Sequence, residues 1–133
     1  MANTLYPKFK EALLQGQINM LTDTIKAMLV KTGYTYNASH QYVSDVSTYD
    51  NGRSSALTNK SVTNGIFDAD DIQITAISAT QVIAVVLYKD TGTDSTSPLI
   101  AYLDTVSGIP FTPAANGTVQ IIWDNGSYKI FSL

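Results

Sequence analysis

Residues 81–105, QVIAVVLYKDTGTDSTSPLIAYLDT, restrict the fold more than any other stretch of the chain. Successive side chains of an extended segment point to opposite faces, so Val82, Ala84, Val86 and Tyr88 share one face while Ile83, Val85 and Leu87 share the other. Both faces are apolar, as in a strand covered from two sides. Such a strand belongs in the middle of a core. The second run carries Leu99, Ile100, Ala101, Tyr102 and Leu103, and an antiparallel hairpin across the polar loop 91–98 is the simplest connection between the two.

The segments on either side fit a β-rich domain. Residues 6–15 predict a short helix, with Tyr6, Phe9, Leu13 and Leu14 on one side, Lys8, Lys10 and Glu11 on the other, Thr4 as a cap and Gly16 as a stop. Residues 24–32 alternate as a strand, with a helix as the competing reading, and residues 39–46 predict a second short helix. Asp50, Asn51 and Gly52 read as a turn before a strand at 56–62, and residues 72–78 read as a strand with one buried face. Pro110, Pro113, Gly108 and Gly117 break up 107–117, and the chain ends in a hairpin of 118–124 with 127–133 across Asp124-Asn125-Gly126. Seven strands, two short helices and no β-α alternation predict one all-β domain over residues 1–133, with an N-terminal helix or arm at about 4–16 and a core at about 24–133. The expected architecture is an antiparallel β-sandwich or jelly-roll-like barrel.

With 133 residues the chain can bury about two-thirds of its unfolded surface, and having no cysteine it does so without disulfides or thiolate metal sites. A net charge of −3 and basic residues scattered from Lys8 to Lys129 argue against binding the nucleic-acid backbone. No apolar run reaches the roughly 18 to 20 residues of a spanning helix, and MANTLYPKFKEALL lacks the regions of a signal peptide, so no membrane partner and no general secretory route are expected.

Catalytic and metal-binding patterns are weak. Asp68, Asp70 and Asp71 offer carboxylates for calcium, but neither the central glycine nor the closing glutamate of a twelve-residue loop follows, and a solvated turn is the better account. His40 is the only histidine and no nucleophile-elbow sequence accompanies it. Glu11 is the only glutamate, and no cofactor motif is present, so an enzyme is the weakest hypothesis. Four Asn-X-Ser/Thr tripeptides read as turns. Trp123, Tyr88, Tyr102 and Tyr128 offer rings for a sugar platform, though alternation places some of them beside core aliphatics.

The segments YPKFKEALLQGQINMLTDTIKAMLVKTGYTYNASHQYVSDV, FDADDIQITA, VLYKDTGTDSTSPLIAYLDT and IIWDNGSYKIFSL together resemble a family of small structural proteins of tailed bacteriophages. YKDTGT followed by SPLIAYLD is the most specific part of that likeness, with the helix-to-strand opening of residues 9–30. Within that family the likeness most readily interpreted is to capsid cement or decoration proteins, although no motif separates these from proteins with another virion role. The resemblance implies a β-barrel or jelly-roll-like dimer or trimer, made in the host bacterial cytoplasm, that sits on the virion surface and bridges copies of the major capsid protein. A tail or baseplate β-module and a carbohydrate-binding module are the alternatives.

Long, charge-poor segments that are not needed to close a sheet are the expected contacts: the stretch 2–9, the loop 91–98 and the loop 107–116. The candidate interface residues are Tyr6, Phe9, Thr91, Thr93, Asp94, Ser95, Thr96 and Phe111, with Tyr6 or Phe111 as the aromatic anchor. For Tyr6 and Phe9, packing on the chain's own sheet is the competing and favoured expectation.

Overall fold

The computed structural model describes residues 3–105 and 107–133. Ala2, part of the N-terminal stretch expected to make contacts, lies outside the described residues. The chain is mainly β: among the described residues there are ten strands in three antiparallel sheets and one α-helix, and no sheet closes into a barrel. Strand β1 (Thr4–Leu5) precedes helix α1 (Pro7–Leu14), whose Pro7 sits in the first turn, where its missing N–H costs nothing. Strands β2 (Ile25–Lys31), β3 (Asp50–Arg53), β7 (Val82–Lys89) and β8 (Leu99–Leu103) join β1 in a five-stranded sheet ordered β1-β8-β7-β2-β3. Strands β4 (Ser61–Thr63), β5 (Ile66–Asp68) and β10 (Phe131–Ser132) form a second sheet, and β6 (Ile72–Thr75) with β9 (Thr118–Ile121) a two-stranded ribbon.

The double-sided apolar strand expected at 82–88 is β7, flanked by β2 and β8 in the middle of the five-stranded sheet. Opposed residues of an antiparallel pair share a face. Leu29, Val85 and Leu103 therefore lie on one face, and Met28, Val86 and Tyr102 on the other. Burying a side chain of this size contributes about 1.5 to 3 kcal/mol. Tyr34 and Tyr36 pack on Tyr102 over the second face, with ring centroids 5.7 and 5.5 Å away. At another apolar junction, Phe9 of α1 meets Phe131 at 5.9 Å and Phe131 meets Phe67 at 5.3 Å, joining helix, β10 and β5.

Backbone geometry brings the ribbon onto the first face. Met28 opposes Arg53 and the Arg53 guanidinium lies over the Tyr88 ring on the second face, so Gly52 turns toward the first. A Cβ on Gly52 would stand 2.5 Å from the Thr75 carbonyl oxygen, and its φ of +132° disfavours any side chain. Asn51, fully buried, secures the crossing: its amide donates to the Ser78 and Thr80 carbonyls and its oxygen accepts the Ser78 N–H.

Several local expectations are corrected. Residues 50–52 do contain the Asx hydrogen bond of a turn, Gly52 N–H to Asp50 Oδ1, but pairing with β2 makes them strand β3. The second helix is instead a pair of 3₁₀ turns, Val43–Asp45 and Ser47–Tyr49, too short to carry a helical face. The strand expected at 56–62 begins only at Ser61. The C-terminal hairpin does not form. Asp124 Oδ1 does accept the Gly126 N–H, yet the strands beside this turn pair elsewhere, β9 with β6 and β10 with β5. The Trp123 N–H bound by Asp71 Oδ1 and the indole N–H bound by the Asp70 carbonyl, both at 2.9 Å, tie the chain to the β5–β6 connection before it could double back.

Amide exchange should be slowest across residues 82–87, and exchange there as fast as at exposed Thr93 would contradict the central position of β7. Gly52→Ala should cost about 2 to 4 kcal/mol, because strain and a backbone clash combine. Gly16→Ala, with open space around its Cβ, should cost only about 1 kcal/mol. Equal losses in denaturant unfolding would show that the Gly52 crossing is not tight.

Candidate functional site

Of the expected contact residues, those of the 91–98 loop sit on a segment fixed by an ion pair and several hydrogen bonds. Arg53 of β3 donates to Asp50 Oδ2 at 2.7 Å and grips Asp94 with two bonds of 2.7 and 2.9 Å. Two parallel N–H···O bonds fix orientation as well as distance. Hydrogen bonding to Arg53 holds the Asp94 carboxyl below the usual carboxylate range, and the Lys26 ion pair does the same for Asp90. Thr91 Oγ1 lies 2.6 Å from Thr96 Oγ1, and the Thr93 carbonyl accepts from Ser97 Oγ, whose side chain is buried. Ser97 also accepts the Val43 N–H through its carbonyl, binding the loop to the 3₁₀ turns. Thr91, Thr93, Ser95 and Thr96 are exposed on this fixed loop, whereas Asp94 is half-buried and already engaged.

Tyr6 and Phe9 are placed differently from Phe111. Both are fully buried, so they pack on the chain's own core and present no ring to a partner. The Tyr6 hydroxyl lies 2.9 Å from that of Tyr34, which lies 2.8 Å from His40 Nδ1. Burial first, and then this bond, push ionisation of Tyr6 far above its ordinary range. The lone histidine thus ends a buried hydroxyl chain. Phe111 is half-buried and bridges to Val82 through backbone bonds in both directions, pinning the 107–116 loop to the start of β7.

The three aspartates do not converge. Asp70 accepts from Asn59, Asp71 from Trp123, and Asp68 lies in β5. Among the described residues no three histidines, cysteines or carboxylates are grouped closely enough to hold a metal ion.

A cleft of about 960 Å³ lies over the first face of the five-stranded sheet. Its floor is Leu29, Val85 and Leu103, from three neighbouring strands. β9 from Val119 onward forms one wall together with Ile122 and Trp123, while Ile109 and Phe111 lie at one part of the rim and Lys129 and Ile130 at another. Trp123 is only 7% exposed and spends its indole N–H on Asp70, so it serves as wall and not as a free stacking platform. A hairpin of 118–124 with 127–133 would leave no such cleft; the observed pairing of β9 with β6 opens it. The alternation that signals it was nonetheless present, since Val119 and Ile121 face inward and Thr118 and Gln120 outward.

The Arg53 clamp sets a pH dependence. A carboxylate whose pKa is lower folded than unfolded favours the fold above the unfolded value and loses that contribution as pH falls through the folded one. Asp94 and Asp90 both act in this sense, so stability should fall below about pH 4. Asp94→Asn should lower the melting temperature by about 3 to 5 °C at pH 7 and weaken the acid-side slope. An unchanged melting curve at both pH values would show that the clamp adds nothing.

No protein-family model matches the chain, and no curated protein matches it.

Proposed function

We propose that the protein is a virion structural protein of a tailed phage, specifically a cement or decoration protein that binds the outside of the head and bridges copies of the major capsid protein. The family resemblance of residues 6–46 and 86–105 supports this reading, and so does one surface observation that carries it. The outer face of the β6–β9 ribbon holds Gln73, Thr75, Thr118 and Gln120, all uncharged, with Ile77 and Ile122 exposed by 59% and 64% at its two ends. Hydroxyls, amides and exposed isoleucines side by side on one ribbon face suit contact with another protein. A second apolar area, with Leu21, Val62 and Leu133 exposed around a groove of about 260 Å³ beside α1, lies on different elements. Bridging requires two such areas on one body.

The mechanism is mass action. A copy that contacts two capsid subunits adds binding free energy to the assembled shell alone and shifts it away from disassembly. The same proposal takes the molecule as a dimer or trimer and its five-stranded sheet, with the smaller sheets laid against it, as an open sandwich in place of a closed jelly-roll-like barrel. Burial of Trp123 disfavours the carbohydrate-binding alternative.

Purified protein mixed with expanded heads that lack it should bind saturably and raise their resistance to heat. Ile77→Lys with Ile122→Lys should weaken that binding at least about tenfold while leaving the melting temperature within a few degrees. Protein that ignores heads and is found on tails would replace the cement reading with the tail or baseplate one.

A further inference from the structure

The β9 strand has one used edge and one unused edge. The Ala76 N–H donates to the Gly117 carbonyl, which fixes the parity of the ribbon: Val119 and Ile121 turn their backbone groups toward β6, and Thr118, Gln120 and Ile122 turn theirs away. The same parity sends the Thr75 carbonyl toward Gly52, as observed. β6 is the sole strand paired with β9 among the described residues, so the outward N–H and C=O groups of Thr118, Gln120 and Ile122 have no strand partner. That edge runs beside the 960 Å³ cleft, whose floor is apolar.

We infer that the cleft is a binding site for one extended segment of another polypeptide, added to β9 as an extra strand. Unpaired, regularly spaced backbone donors and acceptors along an edge are met by a second backbone in extended form. Alternate side chains of that segment would face the cleft lining, where Ile109, Phe111 and Val119 are half-buried above the sealed Leu29, Val85 and Leu103, so they must be apolar. The charged side chains lining the cleft are one of each sign, Asp124 and Lys129, and an uncharged segment matches them best. A second folded copy does not fit. Its own β9 would arrive with its own five-stranded sheet beneath it, and the space beneath is already filled by this chain's floor. A lone segment has no such layer to accommodate.

The inference is independent of any role in a virion. The probe is a synthetic peptide with the sequence of residues 72–78, IQITAIS, capped at both ends and carrying a two-lysine solubility tail outside the paired segment, since it is uncharged and its alternate Ile72, Ile74 and Ala76 form one apolar face. In the free protein the amides of Thr118 and Gln120 should exchange at least about tenfold faster than those of Val119 and Ile121. The peptide should bind saturably with a Kd of about 1 mM or tighter and slow Thr118 and Gln120 at least about tenfold. Gln120→Pro, which removes an outward N–H and no bond to β6, should abolish binding with little change in melting temperature. Should that variant not fold, the exchange measurement decides alone. Three results overturn the site: no binding up to about 1 mM; binding that leaves Thr118 and Gln120 unprotected; or slow exchange of both in the free protein, which would mean that a second copy or another part of the chain already fills the edge. A protein that takes the peptide but ignores phage heads keeps this site and loses the virion reading; coating of heads with both amides unprotected does the reverse.

Discussion

A strand that is apolar on both faces has to be covered twice, and this requirement organises the molecule. β7 and its neighbours cannot lie on the surface, yet α1, with eight residues, is far too short to cover either face of a five-stranded sheet. The cover is therefore assembled from small pieces: tyrosines of the 34–49 region on one side, and on the other a ribbon let in close by Gly52 and held there by Asn51. A cover made of pieces has seams. The cleft beside β9 is one such seam, open at half-buried Ile109, Phe111 and Val119 while Leu29, Val85 and Leu103 beneath are already sealed.

Charge is spent locally. Lys26 pairs with Asp90, Lys89 with Asp23, and Arg53 with Asp50 and Asp94, each pair tying a strand to a neighbouring loop or strand end. In a chain with 14% charged residues this leaves large areas of hydroxyl and amide surface, on which contacts are insensitive to screening by salt. The Arg53 clamp also changes the meaning of the 91–98 loop. Its length and polarity suggest a free arm, but Asp94 and buried Ser97 make it part of the scaffold.

The central strands were legible in the sequence because periodicity reports burial directly: β2, β7 and β8 fall where alternation and apolar runs place them. The partners of the shorter strands were not. Asp124-Asn125-Gly126 favours a turn whichever strands flank it, and local chemistry carries no record of the bonds from Trp123 to Asp70 and Asp71 that decide the pairing. The same limit applies to the candidate contacts. An aromatic at residue 6 or 9 reads equally as anchor or as core until the fold buries it, and Arg53 gave no sign of reaching a loop 41 residues away. The cleft is a property of the gap between two sheets, which no single segment encodes.

The order of pairing also bears on how the molecule is made. β1 joins β8, β10 joins β5 and β9 joins β6, so each late strand closes against one made much earlier. Folding of this kind is dominated by distant contacts and is correspondingly slow. While a ribosome is still adding β9 and β10, the finished β2–β7–β8 sheet has an uncovered apolar face, which is the condition under which chains aggregate. Synthesis rate and chaperone supply, more than the final stability of the fold, should then govern how much native protein accumulates.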